Sequence, residues 1–197
     1  YEMEDADFVV TTITALSSYT LPKELFLKYT IRIDLQSSVD MEKLISDLIF
    51  MGYKRVSTVE GIGQFSVRGS IIDVFPPSEK VPYRIELWGD EVDSVRTFNP
   101  ATQLSEVRCD RAAISPAREL LYTDDDVGGI CKIIKSSKNE NLLRDAEKFA
   151  SAHYFASADK YMPYFYSELP SVTDYLGDCM IFADDAAGLN SKLSVWY

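Results

Sequence analysis

Histidine and cysteine are almost missing from this sequence. One histidine, His153, and three widely separated cysteines, Cys109, Cys131 and Cys179, are the only imidazole and thiol ligands in 197 residues. That supply excludes a zinc-finger ligand set and a disulfide framework, and unpaired thiols fit a reducing cytoplasm. No apolar run approaches the roughly 20 residues that a membrane-spanning helix needs. The opening residues, Tyr1-Glu2-Met3-Glu4-Asp5, have neither the basic nor the apolar region of a signal peptide. They also lack an initiator Met, so the chain reads as a piece of something longer. A phosphate-binding loop is missing too. Such a loop sets glycine N–H groups before Lys and Ser/Thr at a helix start. Here Gly61-Ile62-Gly63 runs into Gln64-Phe65-Ser66, which reads as a turn.

What is present is the material of a folded domain. The chain is 46% hydrophobic and 12% aromatic, which excludes a disordered tail. Its net charge is −11, unevenly spread. Residues 1–40 carry 7 acids against 3 bases, and 121–197 carry 12 against 7. The middle, 41–120, is near neutral with 12 against 10, and holds seven of the nine arginines. An acidic chain repels a phosphate backbone, so strong DNA binding by this chain is not expected. Arginine gathered in one segment points to a protein interface instead.

Residues 8–16 are β-branched and apolar, as in a buried strand running into a short helix. Residues 29–35 alternate like a half-buried strand. Met41, Leu44, Ile45, Leu48 and Ile49 then make one helical stripe, with Ser38 as a cap and Gly52 as the left-handed stop. Strands are expected over 53–59, over 64–75 with a kink at Gly69, over 83–88, around 92–98, and over 107–114. The pattern leaves the register of the hairpin around Gly89-Asp90 open. After residue 120 the character turns helical and polar, with a helix starting at Thr123 and another over 142–150. An aromatic loop or strand (161–165) and a buried strand (178–185) follow. The fold class is α+β: a small, mostly antiparallel sheet module with a helix, set between two incomplete pieces of another domain.

Most candidate chemistry has a plainer reading. Asp184-Asp185 after an apolar run suggests a magnesium-binding strand end, but without a phosphate loop it has nothing to serve. Asp124-Asp125-Asp126 reads as a solvated helix start. His153 has no nucleophile that the sequence can place beside it. Tyr154, Phe155, Tyr161, Tyr164, Phe165 and Tyr166 lack the interleaved Lys and Arg of a stacking platform, and read as packing.

One constellation remains. In Tyr83-Arg84-Ile85-Glu86-Leu87-Trp88 a period of two puts Arg84, Glu86 and Trp88 on one face. In Gln64-Phe65-Ser66-Val67-Arg68 it puts Arg68 opposite Phe65 and Val67. If these two strands pair, Arg68, Arg84, Glu86 and Trp88 form one patch of charge and aromatic area, the composition of an interface hot spot. The plain alternative is an Arg84–Glu86 or Arg68–Glu86 pair within the sheet, worth under about 1 kcal/mol. The alternation does not choose between them.

The residues over 52–119 carry a resemblance. Gly52-Tyr53-Lys54-Arg55-Val56, Val59-Glu60-Gly61 and Gly63-Gln64-Phe65-Ser66-Val67-Arg68-Gly69 come first. Ile71-Ile72-Asp73-Val74-Phe75-Pro76-Pro77 follows, then Pro82-Tyr83-Arg84-Ile85-Glu86-Leu87-Trp88-Gly89-Asp90-Glu91-Val92-Asp93-Ser94-Val95-Arg96. Asn99-Pro100, Thr102-Gln103, Ser105, Ile114 and Pro116-Ala117-Arg118-Glu119 complete it. In order and spacing this resembles the UvrB-type interaction domain, carried by the B subunit of the bacterial excision nuclease and by transcription-repair coupling factors. Val9-Val10-Thr11-Thr12-Ile13 with Leu21-Pro22, and Tyr161-Met162-Pro163-Tyr164-Phe165-Tyr166, resemble the flanks of the domain in coupling factors. Ser70 stands where a second Gly is usual, Leu87-Trp88 where Phe-Phe is usual, and Leu104 where Arg is common.

The resemblance implies an organisation and a role. Residues 1–36 would end the first segment of a vestigial helicase-like α/β domain, 37–120 would be the interaction domain, and 121–197 part of the returning segment. The domain would recruit the excision nuclease's A subunit, UvrA, through Arg68, Arg84, Glu86 and Trp88, in nucleotide excision repair at stalled RNA polymerase. Truncating Arg84 to Ala would abolish that docking without changing the fold. No catalysis, metal or cofactor is expected here. ATP, Mg, DNA and RNA polymerase would engage other parts of an ATP-dependent DNA translocase. The alternatives are a DNA- or nucleotide-binding part of a helicase-like motor, or the same domain of the B subunit.

Overall fold

The computed structural model describes residues 8–136, 139–151, 155, 158–176 and 178–196. His153 and Tyr154 lie outside the described residues. The fold is α+β, with two mostly antiparallel sheets, and the chain divides into two compact units. One is Glu24–Asp124; the other joins Tyr1–Lys23 to Asp125–Tyr197. The first unit begins ahead of residue 37 because its first strand, β1 (Ile31–Asp34), pairs antiparallel with its last, β8 (Arg111–Ile114).

Between these strands lies a six-stranded sheet in simple sequence order: β2 (Lys54–Arg55), β3 (Gln64–Arg68), β4 (Ile71–Val74), β5 (Tyr83–Trp88), β6 (Glu91–Phe98) and β7 (Ser105–Cys109). Only β2 and β3 run parallel. The run 64–75 is therefore not one kinked strand but a hairpin, Arg68 facing Ile71 across a two-residue turn. Gly69 supplies a positive φ of 62° at the first turn position, where a turn matched to the strand twist favours glycine. Gly89, also at φ 62°, turns β5 into β6 in the same way. The register there moves from Glu86 opposite Ser94 to Leu87 opposite Val92, which leaves Asp93 as an extra residue. That bulge lets both Val92 and Val95 reach the core, and it is why alternation left the register open. The expected single strand over 107–114 is two strands in two sheets, divided at Asp110, whose carbonyl accepts from Leu35 N–H.

Helix α3 (Met41–Phe50) packs on the inner sheet face. Leu44 and Leu48 join Phe65, Ile72, Val74, Ile85, Leu87, Val92 and Val95 from the sheet, and Ile33, Ala112 and Ile114 from β1 and β8. Ile49, one edge of the sequence stripe, is exposed. The cap is Asp40, not Ser38; its carboxylate accepts from Lys43 N–H at 3.0 Å. Gly52 closes the helix with φ 92°, donating to Ile49 O while Tyr53 N–H donates to Leu48 O. A Cβ at Gly52 would also sit 2.7 Å from Cγ of Arg118, whose Nη2 donates to Phe50 O. The Tyr53 hydroxyl donates to Ser115 O at 2.6 Å, and burial pushes the phenol's pKa up.

In the second unit, α1 (Ile13–Ser17) is capped by Thr12, and among the described residues ahead of it, 8–12, there is no strand: Phe8 and Val10 are exposed. Helix α2 (Lys23–Tyr29), which the sequence pattern did not show, follows Pro22 and belongs, from Glu24 on, to the sheet unit. Helices α4 (Asp124–Lys135) and α5 (Glu140–Ala150) stand where the polar region suggested them. The aromatic segment is helical: a 3-10 turn over Ala158–Tyr161 runs into α6 (Met162–Phe165). Phe149 is the hub of an aromatic cluster with Phe155, Tyr161 and Phe165 at centroid distances of 4.9, 5.3 and 5.7 Å. Residues 178–185 form no strand. Met180, Ile181 and Phe182 are exposed, and Asp185 caps α7 (Ala186–Trp196) by accepting from Gly188 N–H at 3.0 Å.

Candidate protein-docking site

The outer face of the six-stranded sheet follows from its register. Cross-strand partners share a face, so Ser66, Asp73, Arg84, Arg96 and Arg108 make one row across β3 to β7. Arg68, Ile71, Glu86 and Ser94 make the next row, and Trp88 lies beyond it at the end of β5. The four residues singled out by alternation do share this face. Arg68 and Arg84 are not on neighbouring strands, however, because β4 lies between theirs.

The strand between them supplies the centre of the site. Asp73 is only 1% exposed, and both guanidinium groups converge on it. Arg84 donates from Nε to Oδ1 at 2.7 Å and from Nη2 to Oδ2 at 2.9 Å, a two-pronged contact. Arg68 donates from Nη2 to the same Oδ2 at 2.6 Å. The Arg84 fork continues through Nη1 to Gln103 O at 3.1 Å and Ser105 Oγ at 3.4 Å, and its plane lies 4.6 Å from the Phe98 ring centre. Hydrogen bonding to Asp73 raises the Arg84 pKa, against the opposing effect of burial. Phe98 belongs to a small second core with Val59 and Phe75.

The plain alternative, an Arg84–Glu86 or Arg68–Glu86 pair, does not form. Residues two apart on one strand point the same way and do not face each other, and Asp73 sits closer to both cations. Glu86 instead accepts from Ser94 Oγ at 2.9 Å and lies 3.4 Å from Arg96 Nη2. Trp88 carries no such ties and is 84% exposed. The face thus holds four arginines, Arg68, Arg84, Arg96 and Arg108, against three carboxylates, Asp73, Glu86 and Glu91 (the cross-strand partner of Trp88), in a chain of net charge −11. Chemically it offers a cationic surface with an indole at one end.

Asp73 is the residue that sequence reasoning missed. Its signal was a lone carboxylate within Ile71-Ile72-Asp73-Val74-Phe75, since a charge inside an apolar strand has to be paired. Of the rejected candidates, Asp185 is a helix cap and Asp124 opens α4. Among the described residues no cluster of His, Cys, Asp or Glu could hold a metal ion, and no helix is long and apolar enough to cross a membrane.

A family model described as the UvrB interaction domain matches residues 31–120. The chain carries a UvrB interaction domain. The matched residues run from β1 past β8 and include all four candidate docking residues and Asp73. Over 190 residues, 88% of its length, the chain is 30% identical to the transcription-repair-coupling factor of Bacillus subtilis. It is 28% identical over 187 residues, 90% of its length, to that of Rickettsia bellii. It is 35% identical over 117 residues, 59% of its length, to that of Myxococcus xanthus. The chain spans 16%, 16% and 10% of the length of these proteins. The UvrB interaction domain is a non-catalytic interaction module.

Proposed function

We propose that the UvrB interaction domain of this chain docks UvrA, the A subunit of the bacterial excision nuclease, on the sheet face that carries Arg68, Arg84, Glu86 and Trp88. The observation that carries the reading is the outer sheet face. It is cationic in an acidic chain and ends in a tryptophan that the fold leaves 84% exposed. An indole of that size left in water has no folding purpose, whereas aromatic and arginine side chains dominate binding hot spots. The partner surface is then acidic, with an apolar recess for the indole.

In a transcription-repair-coupling factor, this docking recruits the excision nuclease to stalled RNA polymerase. The flanking unit belongs to a helicase-like domain interrupted by the interaction domain. ATP hydrolysis, DNA translocation and polymerase contact lie in other parts of the parent, which is cytoplasmic. Similarity to coupling factors along 88–90% of the chain supports this setting over that of the nuclease B subunit.

The test is a calorimetric titration of purified cognate UvrA with this chain and its Trp88→Ala variant. Loss of a buried indole anchor costs about 2 kcal/mol or more, some 30-fold in affinity. Wild-type affinity in the variant, with its melting temperature unchanged, removes the indole from the interface and the reading with it.

A further inference from the structure

The docking reading takes four side chains as one patch, but the ionic geometry divides them. Arg84 has little left to offer a partner: Nε and Nη2 both donate to Asp73, and Nη1 to Gln103 O and Ser105 Oγ. Its side chain is 15% exposed and lies over Phe98. Arg68 is the reverse case. It engages Asp73 with one nitrogen, leaves the rest of a five-donor fork open, and is 47% exposed. Asp73 therefore works in two directions, bound from below by a fully committed guanidinium and holding a second, open one at the surface.

On the docking reading, we infer that Asp73 and Arg84 are positioning residues that hold the Arg68 guanidinium in place for an acidic side chain of UvrA. Arg68 and Trp88 make the contact. A long side chain fixed before binding loses less freedom on association, so the ion pair contributes affinity without touching the partner. The second acceptor of Arg68 is the partner carboxylate. Arg84 influences binding only through Asp73.

The test is a titration of cognate UvrA with Arg84→Gln and with the double variant Asp73→Asn/Arg84→Gln. The single variant leaves the buried Asp73 carboxylate to Arg68 alone, drawing that guanidinium inward, and lowers affinity about 30-fold. The double variant exchanges the ion pair for a neutral amide pair that still accepts from Arg68, and it binds within about fivefold of wild type. A folded double variant that binds no better than Arg84→Gln overturns the inference, because Arg84 then supplies a partner contact itself. Nitrogen-15 spectra of the unaltered chain give a reading that requires no variant to fold. The Arg84 Nε–H resonance is protected from exchange in the free chain and keeps its shift in the complex, while that of Arg68 moves. Equal movement of both overturns the assignment. Failure of the docking reading itself looks different: Arg68→Gln and Trp88→Ala then bind as wild type, and this inference falls with it.

Discussion

Each of the two units contains a buried carboxylate that holds two cations. In the sheet unit Asp73 takes Arg68 and Arg84. In the helical unit Asp145, 9% exposed, takes Lys148 at 2.8 Å, Lys160 at 2.6 Å and the Tyr161 hydroxyl at 3.0 Å. The surroundings differ. Lys148 lies over the Phe155 ring and Lys160 over Tyr161, so both ammonium groups close onto the cluster around Phe149 that joins α5 to the following turn. Around Asp73 one guanidinium is closed in, the other is half open, and an uncovered indole shares its face. A buried ion triad is thus a joint in one unit and a platform in the other. What separates them is the cation that the fold leaves unfinished.

That contrast predicts a graded set of effects. The largest falls on Arg84→Ala. Leaving the buried Asp73 with Arg68 as its one remaining cation lowers the unfolding free energy of the sheet unit by about 3 kcal/mol, read by urea denaturation. Arg68→Ala inverts the balance: a loss of about 2 kcal/mol in UvrA binding with under about 1 kcal/mol in stability, since a half-exposed ion pair contributes little to folding. Gly52→Ala tests the frame that carries the platform. Left-handed backbone and the crowding against Arg118 together cost about 1–2 kcal/mol in thermal unfolding.

The smallest effect is confined to acid and to the other unit. Burial pushes the Asp145 carboxyl pKa up, but hydrogen bonds from Lys148, Lys160 and Tyr161 outweigh it and bring it to about 2, below the ordinary 3.8. A depressed carboxyl favours the folded state above its ordinary pKa and loses that contribution as pH falls from about 4 to about 2. Asp145→Asn flattens the loss of thermal stability in that window. An acid profile identical to wild type shows that Asp145 does not bear the joint.

Much of the sheet unit could be read from its residues. Tyr83 to Trp88 alternates between chemically opposite faces, and α3 carries its stripe at helical spacing, so both elements and the grouping of Arg84, Glu86 and Trp88 were legible. What escaped depends on pairing rather than on period. Gly69-Ser70 has β-like residues on both sides, so a reversal looked like a kink. Val107 to Ile114 looks continuous because nothing in its composition marks the passage to a second sheet at Asp110. Met180-Ile181-Phe182 is apolar enough for a buried strand, but a strand forms only beside a partner, and here these side chains are exposed. The partner of the two arginines was hidden for the same reason: Asp73 meets them only once β4 lies between β3 and β5.

The most direct trial sets the two carboxylate centres against each other in one assay: titration of UvrA with wild-type chain, Arg68→Ala and Lys160→Ala. The open-platform account predicts an affinity loss of about 30-fold for Arg68→Ala and none for Lys160→Ala. Equal affinity of all three chains would contradict it.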